Sequence, residues 1–178
     1  MSAAASLRRR LALVVLSLVG ALPLVRPALG WALVARGDAL LLAHDPRAQA
    51  KYRLALTIDP ANEVAADRYV FTAFLSRDIA RLDDAVSFAQ AVLVGHPRDA
   101  VLRMDRALCL QLQGRYADAE REFALAGMQR GDVQALALAA ADARRLGNLR
   151  DARRLLRAAY RIDPHYRPVR SALARVAP

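Results

Sequence analysis

A length of 178 residues permits one domain, or one domain behind an N-terminal addressing segment, and the 56% apolar fraction is raised by alanine rather than by large core side chains. A single cysteine, Cys109, excludes an internal disulfide and a lipid-modified N-terminus alike. The net charge of +10 is unevenly placed: residues 1–30 carry four arginines and no acid, residues 31–143 hold 13 basic against 15 acidic groups, and residues 144–178 hold ten arginines against Asp151 and Asp163.

At the start of the chain, Arg8, Arg9 and Arg10 precede the uncharged stretch Leu11 to Val25, a basic region leading into an apolar one, as secretion and membrane-insertion machinery require. Those 15 residues as a helix would span about 22 Å, short of the ~30 Å of bilayer hydrocarbon. Three readings stay open. Residues 11–35 form a tilted single span with Arg26 reaching the head groups and Trp31 at an interface; or a peptidase cuts after Ala28-Leu29-Gly30 and leaves Trp31 first; or the segment is a buried helix. The first two place the remaining chain outside the cytoplasm, because the arginine cluster stays inside. The expectation is therefore a signal anchor or signal peptide over 1–30 and a folded domain over 31–178. It is membrane-bound and single-pass with the domain extracytoplasmic, or secreted or periplasmic after cleavage.

Beyond residue 30 the pattern is helical throughout. Periodicity predicts helices over 31–43, 46–58, 63–78, 81–95, 98–113, 116–129, 132–146 and 149–162, with a last one over 168–176. Asn62 and Asp99 fit N-cap positions and Pro168 the first turn of the final helix. Asp59-Pro60, His96-Pro97 and Asp163-Pro164 close units, since proline has no donor to continue a helix. A frame of small and bulky residues recurs: Ala48/Tyr52/Ala55, Ala85/Ala89/Val92, Ala119/Phe123/Ala126 and Ala152/Leu156/Ala159. Its alanines at 48, 85, 119 and 152 give a period that belongs to stacked helical hairpins, the small residues letting one helix approach another closely. Gly114 and Gly147 end first helices, whereas the second unit carries Ala80 at the matching place and is three residues longer.

Segments such as Gly114-Arg115-Tyr116-Ala117-Asp118-Ala119-Glu120-Arg121-Glu122-Phe123 and Tyr52-Arg53-Leu54-Ala55-Leu56-Thr57-Ile58-Asp59-Pro60 resemble the tetratricopeptide repeat family, over residues 31–178. The resemblance implies an all-α, right-handed α-solenoid of about four hairpins with a C-terminal capping helix, here preceded by an N-terminal hydrophobic helix. It implies a concave groove lined by first helices and a protein or peptide partner. Carried across by alignment, the groove candidates are Val70, Phe74 and Arg77, then Met104, Leu108 and Gln111, then Ala137, Ala141 and Arg144, an apolar centre with a basic end that fits an apolar segment with an acidic flank. Packing between helices is the competing explanation for Phe74, Met104 and Leu108. With Asn62 and Asn148 the only asparagines and Lys51 the only lysine, the chain cannot assemble the lysine–asparagine carboxylate clamp of some relatives.

A second surface is read directly from spacing. Arg150, Arg153, Arg154, Arg157 and Arg161 fall within about 100° of arc on one helix, opposite Ala152, Leu155, Leu156 and Ala159. Such a stripe suits phospholipid, nucleic acid or an acidic protein, or is a solvated face in an arginine-biased chain; the missing aromatic interleaving and the expected export weigh against nucleic acid. Chemistry is not expected. His44, His96 and His165 sit at separate turns with no metal-binding spacing, the glycines form no phosphate loop, and Asp83-Asp84 and Glu120/Glu122 read as solvated carboxylates. Cys109, in an apolar run, reads as a buried small hydrophobe. The sequence thus predicts a non-catalytic interaction adaptor, with no cofactor and no metal, and an anion-binding module as the alternative.

Overall fold

The structure, a computed structural model, describes residues 25–176; the basic and apolar segment before residue 25, with its expected hydrophobic helix, lies outside the described residues. Every regular element among those residues is helical: α1 over 25–42, α2 (Ala48–Ile58), α3 (Glu63–Ser76), α4 (Ile79–Gly95), α5 (Ala100–Leu112), α6 (Tyr116–Arg130), α7 (Val133–Arg145), α8 (Leu149–Ile162) and α9 (Arg167–Arg175). None of the described helices is long and apolar enough to cross a membrane. The chain divides into two compact units, one up to Ala65 and one from Ala66 onward.

In the first unit α1 and α2 form a hairpin through a turn in which His44 holds a left-handed φ of 54°. Ala48, Tyr52, Ala55 and Leu56 turn inward and are buried, and the Tyr52 hydroxyl donates to Asp38 Oδ1 at 2.8 Å, so the ring is sunk while its polar end stays satisfied. Asn62 caps α3 as its position predicts, its side-chain oxygen accepting from the Ala65 N–H at 2.9 Å.

The second unit stacks the hairpins α3–α4, α5–α6 and α7–α8, with α9 packed on α8. The recurring frame is its core: Ala85, Ala89 and Val92 of α4, Ala119, Phe123 and Ala126 of α6, and Ala152, Leu156 and Ala159 of α8 are all buried. Burying a side chain the size of Phe123 contributes roughly 2–3 kcal/mol, and the flanking alanines make room for it. Helix starts are fixed by short acids and an amide. Asp99 accepts from the Val101 and Leu102 N–H groups, Asp132 from Gln134 and Ala135, Asp78 from Ala80, and Asn148 from Asp151. Pro168 stands in the first turn of α9, and Val169 and Val176 are buried as the cap requires.

Each hairpin of this unit turns through one left-handed residue: Arg77 at φ 53°, Gly114 at 73° and Gly147 at 78°. The turn residue of the second hairpin is therefore Arg77 and not Ala80, which lies inside α4. The three additional residues lengthen α4 at its N-terminal end by nearly one turn, giving 17 residues against 15 in α6 and 14 in α8.

Inside the hairpins one pair of facing positions changes chemistry from unit to unit. In α3–α4 it is aromatic, Tyr69 against the edge of Phe88 with ring centroids 5.5 Å apart. The matching places of α5–α6 hold an ion triad: the Glu122 carboxylate accepts from Arg103 at 2.8 Å and from Arg106 at 2.6 Å, and all three side chains are only 12–14% exposed. In α7–α8 the same places hold Leu136, Ala139 and Leu155, all fully buried. Glu122 is thus not the solvated carboxylate that its spacing suggested. Its partners lie 16 and 19 residues away, beyond the reach of a helix-face argument.

Candidate functional site

First helices are neighbours in the second unit. The Cys109 thiol of α5 reaches the Val70 carbonyl of α3 at 3.7 Å, and Gln111 Nε2 of α5 donates to Asp142 Oδ2 of α7 at 2.6 Å. Together they present one continuous face. On α5 and α7 it carries the residues that the sequence proposes: Met104, Leu108, Gln111, Ala137 and Ala141 are half-buried and Arg144 is exposed.

On α3 the lining differs from the expectation. Val70 is fully buried and occupies the place of Ala107 and Ala140, also buried, while Arg77 lies in the turn beyond the helix. The three residues added to α4 lie between the alanine frame of the second helices and α3. The register of α3 is consequently displaced by three, and its lining is Asp67, Phe71 and Phe74, with Phe71 40% exposed and Phe74 half-buried. Phe74 keeps its place because the face returns every three to four residues. The signal that locates the turn is Asp78, an N-cap acid standing before α4.

The face changes character along its length. At α3 it is aromatic and acidic; Asp67 lies beside Asp105 of α5, whose carboxyl is pushed up to about 7 by burial first and by the neighbouring Asp67 charge next. At α7 it is built of alanine, and Ala137, Ala140 and Ala141 border a recess of about 90 Å³ closed by Ala172 and Val176 of α9, with Arg144 and Arg175 at its margin. Between these ends, Asp142 is fully buried; burial raises its carboxyl above the ordinary range while the Gln111 amide opposes the shift. Gln111 is therefore committed to α7. Cys109 is fully buried, and burial followed by the Asp105 charge pushes its thiol up to about 12, so it packs as a small apolar side chain.

The arginine stripe lies on α8 as the spacing requires, but its members differ. Arg153 is half-buried and its Nε donates to the Val176 carbonyl; Arg154 pairs with Asp151 at 3.1 Å. Arg150, Arg157 and Arg161 are exposed and have no acidic partner among the described residues. They border an open recess of about 690 Å³ together with Leu149 and Tyr160. No group of three or more His, Cys, Asp or Glu that could hold a metal ion occurs among the described residues.

No protein-family model matches the sequence, and no curated protein matches it. Solved structures do resemble it. A MamA RS-1 double mutant superposes with a TM-score of 0.66 at 15% identity, over 76% of this chain and 75% of that one. A tetratricopeptide repeat protein of Parabacteroides merdae gives a TM-score of 0.68 at 16% identity over 84% of this chain, which spans 59% of that protein's length. The type III secretion chaperone SycD of Yersinia enterocolitica, solved in complex with a peptide of the translocator YopD, gives 0.53 at 19% identity, over 62% of this chain and 88% of that one. At these identities the likeness is one of fold, and it agrees with the hairpin period, the buried alanine frame and the left-handed turns: the chain has a tetratricopeptide-repeat-like fold.

Proposed function

We propose that the chain is a non-catalytic protein-interaction adaptor whose first-helix face receives an apolar segment of a partner protein. The observation that carries this reading is the exposure of Phe71 beside the half-buried Phe74, Met104 and Leu108. These side chains keep accessible surface on two neighbouring first helices, α3 and α5, which packing alone does not require. The recess of about 90 Å³ beside α7 has room for one small apolar side chain, and Arg144 and Arg175 at its margin suit an acidic flank on the same segment. That SycD was solved with a peptide supports the same use of the fold. Site-specific photo-crosslinking in cells tests it. A crosslinker at Leu108 should give a discrete adduct that disappears in Phe71→Asp, and one at the exposed Gln90 of α4 should give none. Identical adduct patterns from Leu108 and Gln90 would reject the groove.

The same proposal includes export and retention at the membrane through the basic and apolar segment at the start of the chain. Residues 25–35 belong to α1, where Gly30 is buried so close to Asp59 and Asn62 that an added Cβ would lie 3.2 Å from each, and Val34 is buried. This engagement supports an uncleaved N-terminus. Determining the N-terminal residue of protein isolated from membranes decides it, since recovery beginning at Trp31 would remove the anchor.

A further inference from the structure

We infer that the outer face of α8 is a docking surface for anionic phospholipid head groups, separate from the first-helix face. The same fold position carries no such stripe elsewhere among the described residues. Where α8 has Arg150, Arg153, Arg157 and Arg161, α6 has Ala117, Glu120, Ala124 and Met128, and α4 has Asp83, Val86, Gln90 and Val94. A bias of the whole chain toward arginine would have marked all three helices, so the concentration belongs to this face. On α6 the exposed Arg121, together with Arg115 just before the helix, pairs with Asp118. On α8 only Arg154 pairs with an acid among the described residues, and Arg150, Arg157 and Arg161 stand without one around the 690 Å³ recess.

Two further features select the occupant. Arg150 and Arg161 are separated by about 16 Å along the helix, more than one phosphate group can bridge, so the face suits an array of anions. Leu149 and Tyr160, 48% and 42% exposed, stand along one edge of the arginines. An apolar edge beside a cationic face is the arrangement that settles at a bilayer surface, the cations among head groups and the apolar groups just below them. A nucleic acid would instead favour aromatic faces interleaved with the cations, and among the described residues Tyr160 is the one aromatic group bordering the recess.

The test uses the full chain, so that the N-terminal segment contributes equally to every sample. Retention is measured on vesicles of phosphatidylcholine alone and with 30% phosphatidylserine (about a third of the lipid, enough to give the strongly negative surface of a PS-rich membrane). Wild type should favour the anionic vesicles, and Arg150→Gln/Arg157→Gln/Arg161→Gln should lose about a hundredfold of that preference while keeping its helical circular dichroism. The corresponding triple lysine variant should retain most of it, and Leu149→Ser/Tyr160→Ser should lose about tenfold. No anionic preference in wild type, or full preference in the glutamine variant, would overturn the inference. So would tighter retention on duplex DNA lost in the same variant, which would assign the face to nucleic acid, or a full preference in the serine variant, which would leave a bare charge patch.

Discussion

The hairpins α5–α6 and α7–α8 superimpose position for position in sequence, 33 residues apart, yet one is tied by Arg103, Arg106 and Glu122 and the other by Leu136, Ala139 and Leu155. The difference teaches that the repeat prescribes the spacing of two helices and leaves the chemistry between them open. An apolar contact gains by leaving water, whereas an ion triad must first give up its hydration and recovers that only through close geometry. The two hairpins should therefore respond oppositely to the same kind of substitution.

The largest effect is expected from Glu122→Ala, which leaves two nearly buried guanidinium groups without their carboxylate and should cost about 3–5 kcal/mol of unfolding free energy in urea titrations. Leu155→Ala at the matching place should cost less, about 2–3 kcal/mol, since only a cavity is made; equal losses would break the comparison. Converting the triad to its counterpart, Arg103→Leu/Arg106→Ala/Glu122→Leu, should be neutral or stabilising by about 1–4 kcal/mol.

A pH experiment sharpens the contrast on the α5 side. Burial and the charge of Asp67 push the Asp105 carboxyl from an ordinary 3.8 up to about 7, with Asp99 adding to the rise and Arg68 opposing it. A carboxyl raised on folding contributes stability below about pH 4 that is lost as pH climbs to about 7. Asp105→Asn should therefore gain stability over wild type at pH 8 and not at pH 4, read as thermal midpoints at both values. The smallest effect concerns the caps: Asp99→Ala and Asp132→Ala remove equivalent N-caps from α5 and α7, and each should cost about 1 kcal/mol in either hairpin.

Much of this was legible in the residues alone. Alanine, bulky residue and alanine at fixed spacing locate α6 at 116–130 where 116–129 was expected, and α8 at 149–162 as expected, because helix contact demands small side chains at fixed intervals. Cys109 and the arginine stripe also lie where period and polarity put them. What escaped was everything set by chain not in phase with the frame. The lining of α3 was displaced from Asp67, Phe71 and Phe74 to Val70, Phe74 and Arg77, because the 37-residue interval from Ala48 to Ala85 shows that three residues are added but not which helix holds them. Glu122 was misread because a buried ion triad and a solvated pair of acids have the same local spacing, and only the facing helix distinguishes them.

The extra turn of α4 has a practical side. Ile79 at its start is 70% exposed, and Ala80 and Arg81 beside it are exposed too. This overhang belongs neither to the first-helix face nor to α8. A fluorophore or affinity handle attached there would report on both surfaces while obstructing neither.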